Sequence, residues 1–132
     1  MKKIKYPSED LIIEYNALAI TMFEVKKADK SEVLSRTKIT NAIDKCKETE
    51  GDIYDKAAVL LKELTKAHAF ASGNRRTAFI TTIDFIKKNK GKIKIRDDPS
   101  NAKVLTGIRE GFYTNNEIKE WVKDGKIKQF KR

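Results

Sequence analysis

Cysteine, proline and histidine are scarce in this chain, and long apolar runs are absent. Cys46 is the only cysteine, so no internal disulfide and no cysteine-based metal site can be assembled. Its surroundings, TNAIDKCKET, hold nothing that would activate a thiol, and it reads as a small helix side chain. The two prolines, Pro7 and Pro99, both fall outside the periodic segments, which is where a helix-rich chain keeps them. No stretch approaches the roughly 20 apolar residues of a membrane span. The lysines of MKKIKYPSED are not followed by an apolar stretch long enough for a signal peptide. The expectation is a cytoplasmic protein with no membrane contact.

Charge of one sign is in excess. The formal charge is +10, and 23 of the 29 basic residues are lysines. Most alternate with apolar or acidic residues, as on solvated helix faces, and no row of aromatics interleaves them. The excess therefore implies an anionic partner without naming it: ATP, RNA or an acidic protein segment would each be attracted. Nucleic acid is not expected as a specific ligand.

The periodicity predicts an all-α single domain over residues 1–132. Ser8 is a candidate N-cap for a helix whose apolar face is Leu11, Ile12, Tyr15, Leu18 and Ile20. Ser31 to Leu34 reads as a turn or short helix, followed by a helix from Ile39 to Lys47. Ala57, Ala58, Leu60, Leu61, Leu64 and Ala67 line one face of a strong helix, and Ala78, Phe79, Thr82, Ile83 and Ile86 line another. Asn89 and Gly91 would end the second with a left-handed cap. Ile93 to Ile95 reads as a short extended piece. Two closing helices, Asn101 to Glu110 and Asn116 to Lys123, follow, the last capped by Asn115 or Asn116 and packed through Trp121. The basic tail 125–132 is expected to fray.

Between the two strongest helices lies TKAHAFASGNRRTAF, which contains the only histidine, His68. Its Gly-Asn pair opens the following helix, whose N-terminus offers unpaired N–H groups and partial positive charge beside Arg75 and Arg76. Such a site suits phosphates. A histidine at its mouth is placed to take a proton from an acceptor hydroxyl near neutral pH. Taken one at a time, each feature has an ordinary explanation: a structural histidine, a solvated arginine pair, a glycine cap. Their order on one loop is what points to chemistry.

That order resembles the signature of the Fic/Doc family: a histidine, a phenylalanine two residues on, then Gly-Asn-x-Arg between two helices. The matching positions are His68, Phe70, Gly73, Asn74 and Arg76. Doc (death on curing) proteins, toxins of toxin–antitoxin systems, continue Asn-Lys-Arg-Thr-Ala, and this chain reads Asn74-Arg75-Arg76-Thr77-Ala78. YPSEDLIIEYNALAI, DKSEVLSRTKITNAIDKC and KVLTGIREGFYTNNEIKEWVKD are similar to Doc segments before and after the loop, so the likeness spans most of the chain. It implies a helical bundle with the active-site loop between two central helices.

The resemblance further implies that His68 is the general base. Ser72, Gly73, Asn74, Arg75 and Arg76 would hold the phosphates of ATP, with Arg76 also catalytic and Phe70 anchoring the loop. The family usually has an acid just before Gly-Asn as ligand to Mg²⁺; Ser72 stands there, and a hydroxyl can ligate Mg²⁺ but brings no charge. Adenylylating members carry glycine where this chain has Arg75 and Doc-like members carry lysine, which favours phosphoryl over nucleotidyl transfer. The implied acceptor is a hydroxyl on a translation factor such as elongation factor Tu, and the implied inhibitor a separate antitoxin. Adenylyl transfer and a catalytically silent Fic-fold binding protein remain as alternatives. Thr106, Glu110 and Gly111 match in letters an inhibitory Ser/Thr-x-x-x-Glu-Gly/Asn motif of some Fic proteins.

Overall fold

The computed structural model describes residues 3–23 and 31–131. Met1, Lys2 and Arg132, which the N-terminal and tail expectations include, lie outside them. Six helices follow in order: α1 Glu9–Phe23, α2 Arg36–Glu48, α3 Ile53–Ala67, α4 Asn74–Lys88, α5 Asn101–Arg109 and α6 Asn115–Asp124. Among the described residues there is no strand, and no helix long and apolar enough to cross a membrane.

Helix α3 is the central element, packed against α2, α4, α5 and α6, while α1 lies on α4 and α2. Its stripe of Ala57, Ala58, Leu60, Leu61 and Leu64 is buried, with Leu60 and Leu61 wholly so. Burying such side chains is worth about 1.5–3 kcal/mol each. Asp52 starts α3 with a capping box, accepting from the Tyr54 and Asp55 N–H groups while the Asp55 carboxylate accepts from its own N–H. Lys56 is buried on this helix and donates to the Lys47 and Thr49 carbonyls at 3.1 and 2.6 Å, satisfying the C-terminal end of α2. Cys46 is fully buried, and burial pushes its thiol up to about 12, against the pull of Lys56 and Lys47. That makes it a poor nucleophile and a packing residue.

The helix count and type follow the periodicity, but several details do not. The buried face of α1 is Ile12, Asn16 and Ala19, and Leu18 is 46% exposed. The polar Asn16 disguised that face, for reasons that become clear at the loop. Segment 31–35 is not helical; Val33 makes an antiparallel bridge to Phe70. Residues 93–95 form neither helix nor strand, and the segment is held at Lys92, whose N–H donates to the Tyr54 hydroxyl at 2.8 Å. Helix α6 is capped by Thr114, since Thr114 and Glu117 form a reciprocal box and Asn115 is already helical.

The end of α4 carries a further difference. Its left-handed residue is Lys90 (φ 65°), with Gly91 N–H reaching Ile86 C=O at 2.9 Å and Lys90 N–H reaching Lys87 C=O at 3.0 Å. This is a Schellman turn whose left-handed residue falls between Asn89 and Gly91, the two residues expected to end the helix. Asn89 instead donates to the Phe85 and Lys5 carbonyls and accepts from the Lys5 N–H, pinning the segment before α1.

Segment 125–131, expected to fray, is held. The Tyr113 hydroxyl donates to Lys128 C=O at 2.9 Å, Lys128 pairs with Glu117 at 3.1 Å, and Phe130 stacks edge-on against Phe112 at 5.1 Å. A Cβ on Gly107 would sit 2.6 Å from Tyr113 and 3.0 Å from Phe130, so α5 needs glycine there for this cover to close.

Two outcomes follow for stability. Lys90→Gly removes a side chain from a left-handed position, which costs an L-residue about 1 kcal/mol, and should raise the thermal midpoint by a few degrees. The second concerns pH. Lys119 and the Asp52 N–H hold Asp55 below the ordinary carboxylate range, and the Thr114 N–H and Lys128 do the same for Glu117. Stability from these depressed values is present above the unfolded carboxylate pKa of about 4 and is lost as pH falls through the folded ones. Urea midpoints at pH 7 and pH 3 should differ less in Asp55→Asn/Glu117→Gln than in the parent chain.

Candidate active site

The α3–α4 loop is short because α3 ends abruptly. His68 is its C-cap in the left-handed region (φ 52°, ψ 49°), which turns the chain sharply while leaving the imidazole exposed. A non-glycine residue held there is strained, and such strain collects at functional sites. The next two residues go the other way: Ala69 and Phe70 are buried in the core. Phe70 thus sits where an anchor would, two residues from the exposed ring.

Backbone pairing fixes the loop from one side. Leu34 and Ser35 N–H groups donate to Ala69 C=O at 2.7 and 3.2 Å, and Ala71 N–H donates to Glu32 C=O at 2.9 Å. Asn74 fixes it from within. Its Oδ1 accepts from Phe70 N–H at 3.0 Å, its Nδ2 donates to Phe70 C=O at 2.9 Å, and Nδ2 also lies 3.4 Å from His68 Nδ1. Of the residues expected to hold phosphates, Asn74 therefore has its side chain occupied in shaping the loop.

A third tether comes from α1. Asn16, wholly buried, donates to Ser72 C=O at 2.8 Å and to Thr77 Oγ1 at 3.0 Å, and accepts from Ser31 Oγ at 3.1 Å. The sequence reading passed over Asn16; the signal was a lone amide amid an apolar helical face, since a buried amide needs such partners. Gly73 caps α4 with φ 75°, and a Cβ there would lie 3.0 Å from Ile20 and 3.3 Å from the Asn16 amide. Glycine is required for both the turn and the close approach to α1.

The resulting cleft encloses about 430 Å³ and brings together His68, Ser72, Gly73, Asn74, Arg75 and Arg76. That volume lies within the usual range for small-molecule sites, about 300–1,000 Å³. Helix α5 closes the opposite side with Ala102, Leu105 and Arg109. Arg109 was not foreseen; nothing in VLTGIREG distinguishes it from a solvated helix residue until the fold sets α5 beside the loop. Two other hollows, of about 550 and 510 Å³, are larger but are lined by charges of both signs and lack the histidine.

The electrostatics of the cleft are one-sided. Among the described residues its lining includes three arginines and no carboxylate. Burial holds the Arg75 guanidinium below its ordinary range, and the neighbouring charges of Arg109 and Arg76 add to this. Arg75 Nη1 donates to Thr106 Oγ1 at 2.6 Å, and Thr106 in turn donates to Ala102 C=O at 3.0 Å. Thr106 thus orients an arginine of the loop. Glu110, the glutamate of the inhibitory letter pattern, is the C-cap of α5 and is not among the residues that line the cleft.

The described residues of the cleft do not fit a protein-held Mg²⁺. Ser72 offers a neutral hydroxyl, and among the described residues no acid lines the cleft and no three His, Cys, Asp or Glu side chains gather to hold a metal. What the arrangement can do is bind a polyanion beside an exposed histidine.

A search of curated proteins gave no match. A model of the Fic/DOC family, whose members transfer nucleotide or phosphate groups to proteins, generally with ATP and a divalent metal, matches residues 7–86. The matched span runs from before α1 into the last turn of α4, more than half of the sequence, and includes the whole of the loop. The chain belongs to the Fic/DOC family.

Proposed function

We propose that the chain transfers the terminal phosphoryl group of ATP to a hydroxyl of a protein, as a Doc-like phosphotransferase. The observation that carries this reading is an exposed histidine at the rim of a nucleotide-sized cleft whose charged lining, among the described residues, is arginine. In the reaction the acceptor oxygen attacks the γ-phosphorus, the bond to the β-phosphate oxygen breaks, and ADP leaves. The hydroxyl proton passes to the imidazole of His68. Charge that develops on the transferred group meets preorganised donors: the first N–H groups of α4 and the guanidinium groups of Arg75 and Arg76. Arg75 supports phosphoryl over adenylyl transfer, because a long cation fills the space that close approach of phosphates to the backbone would need.

The acceptor we favour is a translation factor such as elongation factor Tu, in the cytoplasm, and the natural inhibitor a separate antitoxin with an acidic segment suited to the chain's excess of +10. A second reading is favoured by one observation. With Ser72 in place of an acid and no carboxylate among the described residues of the cleft, the site suits binding without turnover.

Incubating a cell extract with the chain, Mg²⁺ and ATP labelled at either the α or the γ position separates these readings. Label from γ alone, reduced about 10²–10⁴-fold in His68→Ala, is the expected result. Label from α would establish adenylyl transfer instead. No label, restored in Ser72→Asp, would identify a site limited by its metal ligand; none in either would leave the binding protein. His68 also predicts a separation of activity from stability: His68→Gly, which relieves the left-handed strain, should melt higher than His68→Ala by a few degrees while being equally inactive.

A further inference from the structure

Resting on the nucleotide reading of the cleft, we infer that Arg109 of α5 is a phosphate-binding residue that completes a three-arginine cradle with Arg75 and Arg76. It comes from outside residues 7–86 and from outside the loop, on the wall that faces it. No ion pair holds it among the described residues: none of the carboxylates there lies within pairing distance of Arg109 or of Arg75. Its charge bears on Arg75, whose guanidinium it helps hold below the ordinary range.

An arginine retained for packing or structure is normally set against an acid or a carbonyl. Here Arg109 and Arg75 share one cleft and neither has a carboxylate partner among the described residues, so in the ligand-free protein each meets a like charge. An anion that enters the cleft reverses the sign of that energy. A polyphosphate suits it better than a single carboxylate, because three separate planar forks can each take a pair of oxygens. Helix α5 contributes twice to this grip, through Arg109 directly and through Thr106, which accepts from Arg75 and leaves that guanidinium's other N–H groups for the ligand.

Calorimetric titration and thermal melting with ATP, inorganic tripolyphosphate and adenosine test the assignment on the full chain. Arg109→Ala should weaken ATP and tripolyphosphate at least about tenfold, the usual scale of a charge-assisted bond, and leave adenosine unchanged. Arg109→Lys should recover part of the loss. Lys87→Ala, which removes the same charge at the far end of α4, should change ATP affinity less than about twofold. Without ligand, Arg109→Ala should melt at the parent temperature or higher, because repulsion is relieved; a residue with only a structural role would lower it. Unchanged tripolyphosphate affinity in Arg109→Ala would overturn the inference even if γ-label transfer succeeds. Loss of tripolyphosphate affinity in a chain that transfers no label would keep the cradle and refute the transferase. A parent chain that binds neither polyanion would refute both.

Discussion

The Asn74 carboxamide makes with Phe70 the pair of hydrogen bonds that a neighbouring strand would make, accepting from its N–H and donating to its C=O. Everything at the site leans on that pair. It closes the loop into a ring between its start and the first turn of α4, and so sets the distance from His68 to the arginines. It also compensates the polar backbone of Phe70, whose side chain the core has taken in. Without that compensation the buried ring and the solvated backbone would pull the residue in opposite directions. The Asn16 amide does the same service one step along, at Ser72 C=O and Thr77. Two asparagines thus hold the loop, and neither does so through regular secondary structure.

Such rigidity matters because the loop brings like charges to one cleft. Thr106 restrains Arg75 by accepting from its guanidinium, while the apolar seam of α3, where Leu60 and Leu61 are wholly buried, carries the fold. Stability and binding are therefore set by different helices. The left-handed His68 adds to the same account, since the turn that exposes its ring is one that glycine would make at lower energy.

What could be read from the sequence follows from the range of the interactions involved. Helices α3 and α4 announce themselves through local periodicity, and the loop between them through residues that lie close together in the chain. Caps were partly legible: Ser8 accepts from Leu11 N–H as its position suggested, whereas Thr114 was passed over for the asparagines that follow. Lys90 in a left-handed turn, beside a glycine, could not be foreseen, because tertiary packing of the Asn89 side chain decides which residue takes the strain. Asn16 and Arg109 are non-local. Each looks like an ordinary helix residue until a partner 56 or more residues away, or a facing helix, gives it a role. Segment 31–35 misled for a similar reason: its conformation is set by the loop it pairs with and by little in its own letters.

The cover over α5 has a mechanical side. Gly107 lies two residues before Arg109, and it is pressed by Tyr113 and Phe130, the latter secured through Phe112 and the Tyr113–Lys128 bond. Phe130 is far from the cleft along the chain, yet it bears on the helix that forms one of the cleft's walls. A larger or displaced ring at Phe130 would therefore bear on the helix that carries Arg109.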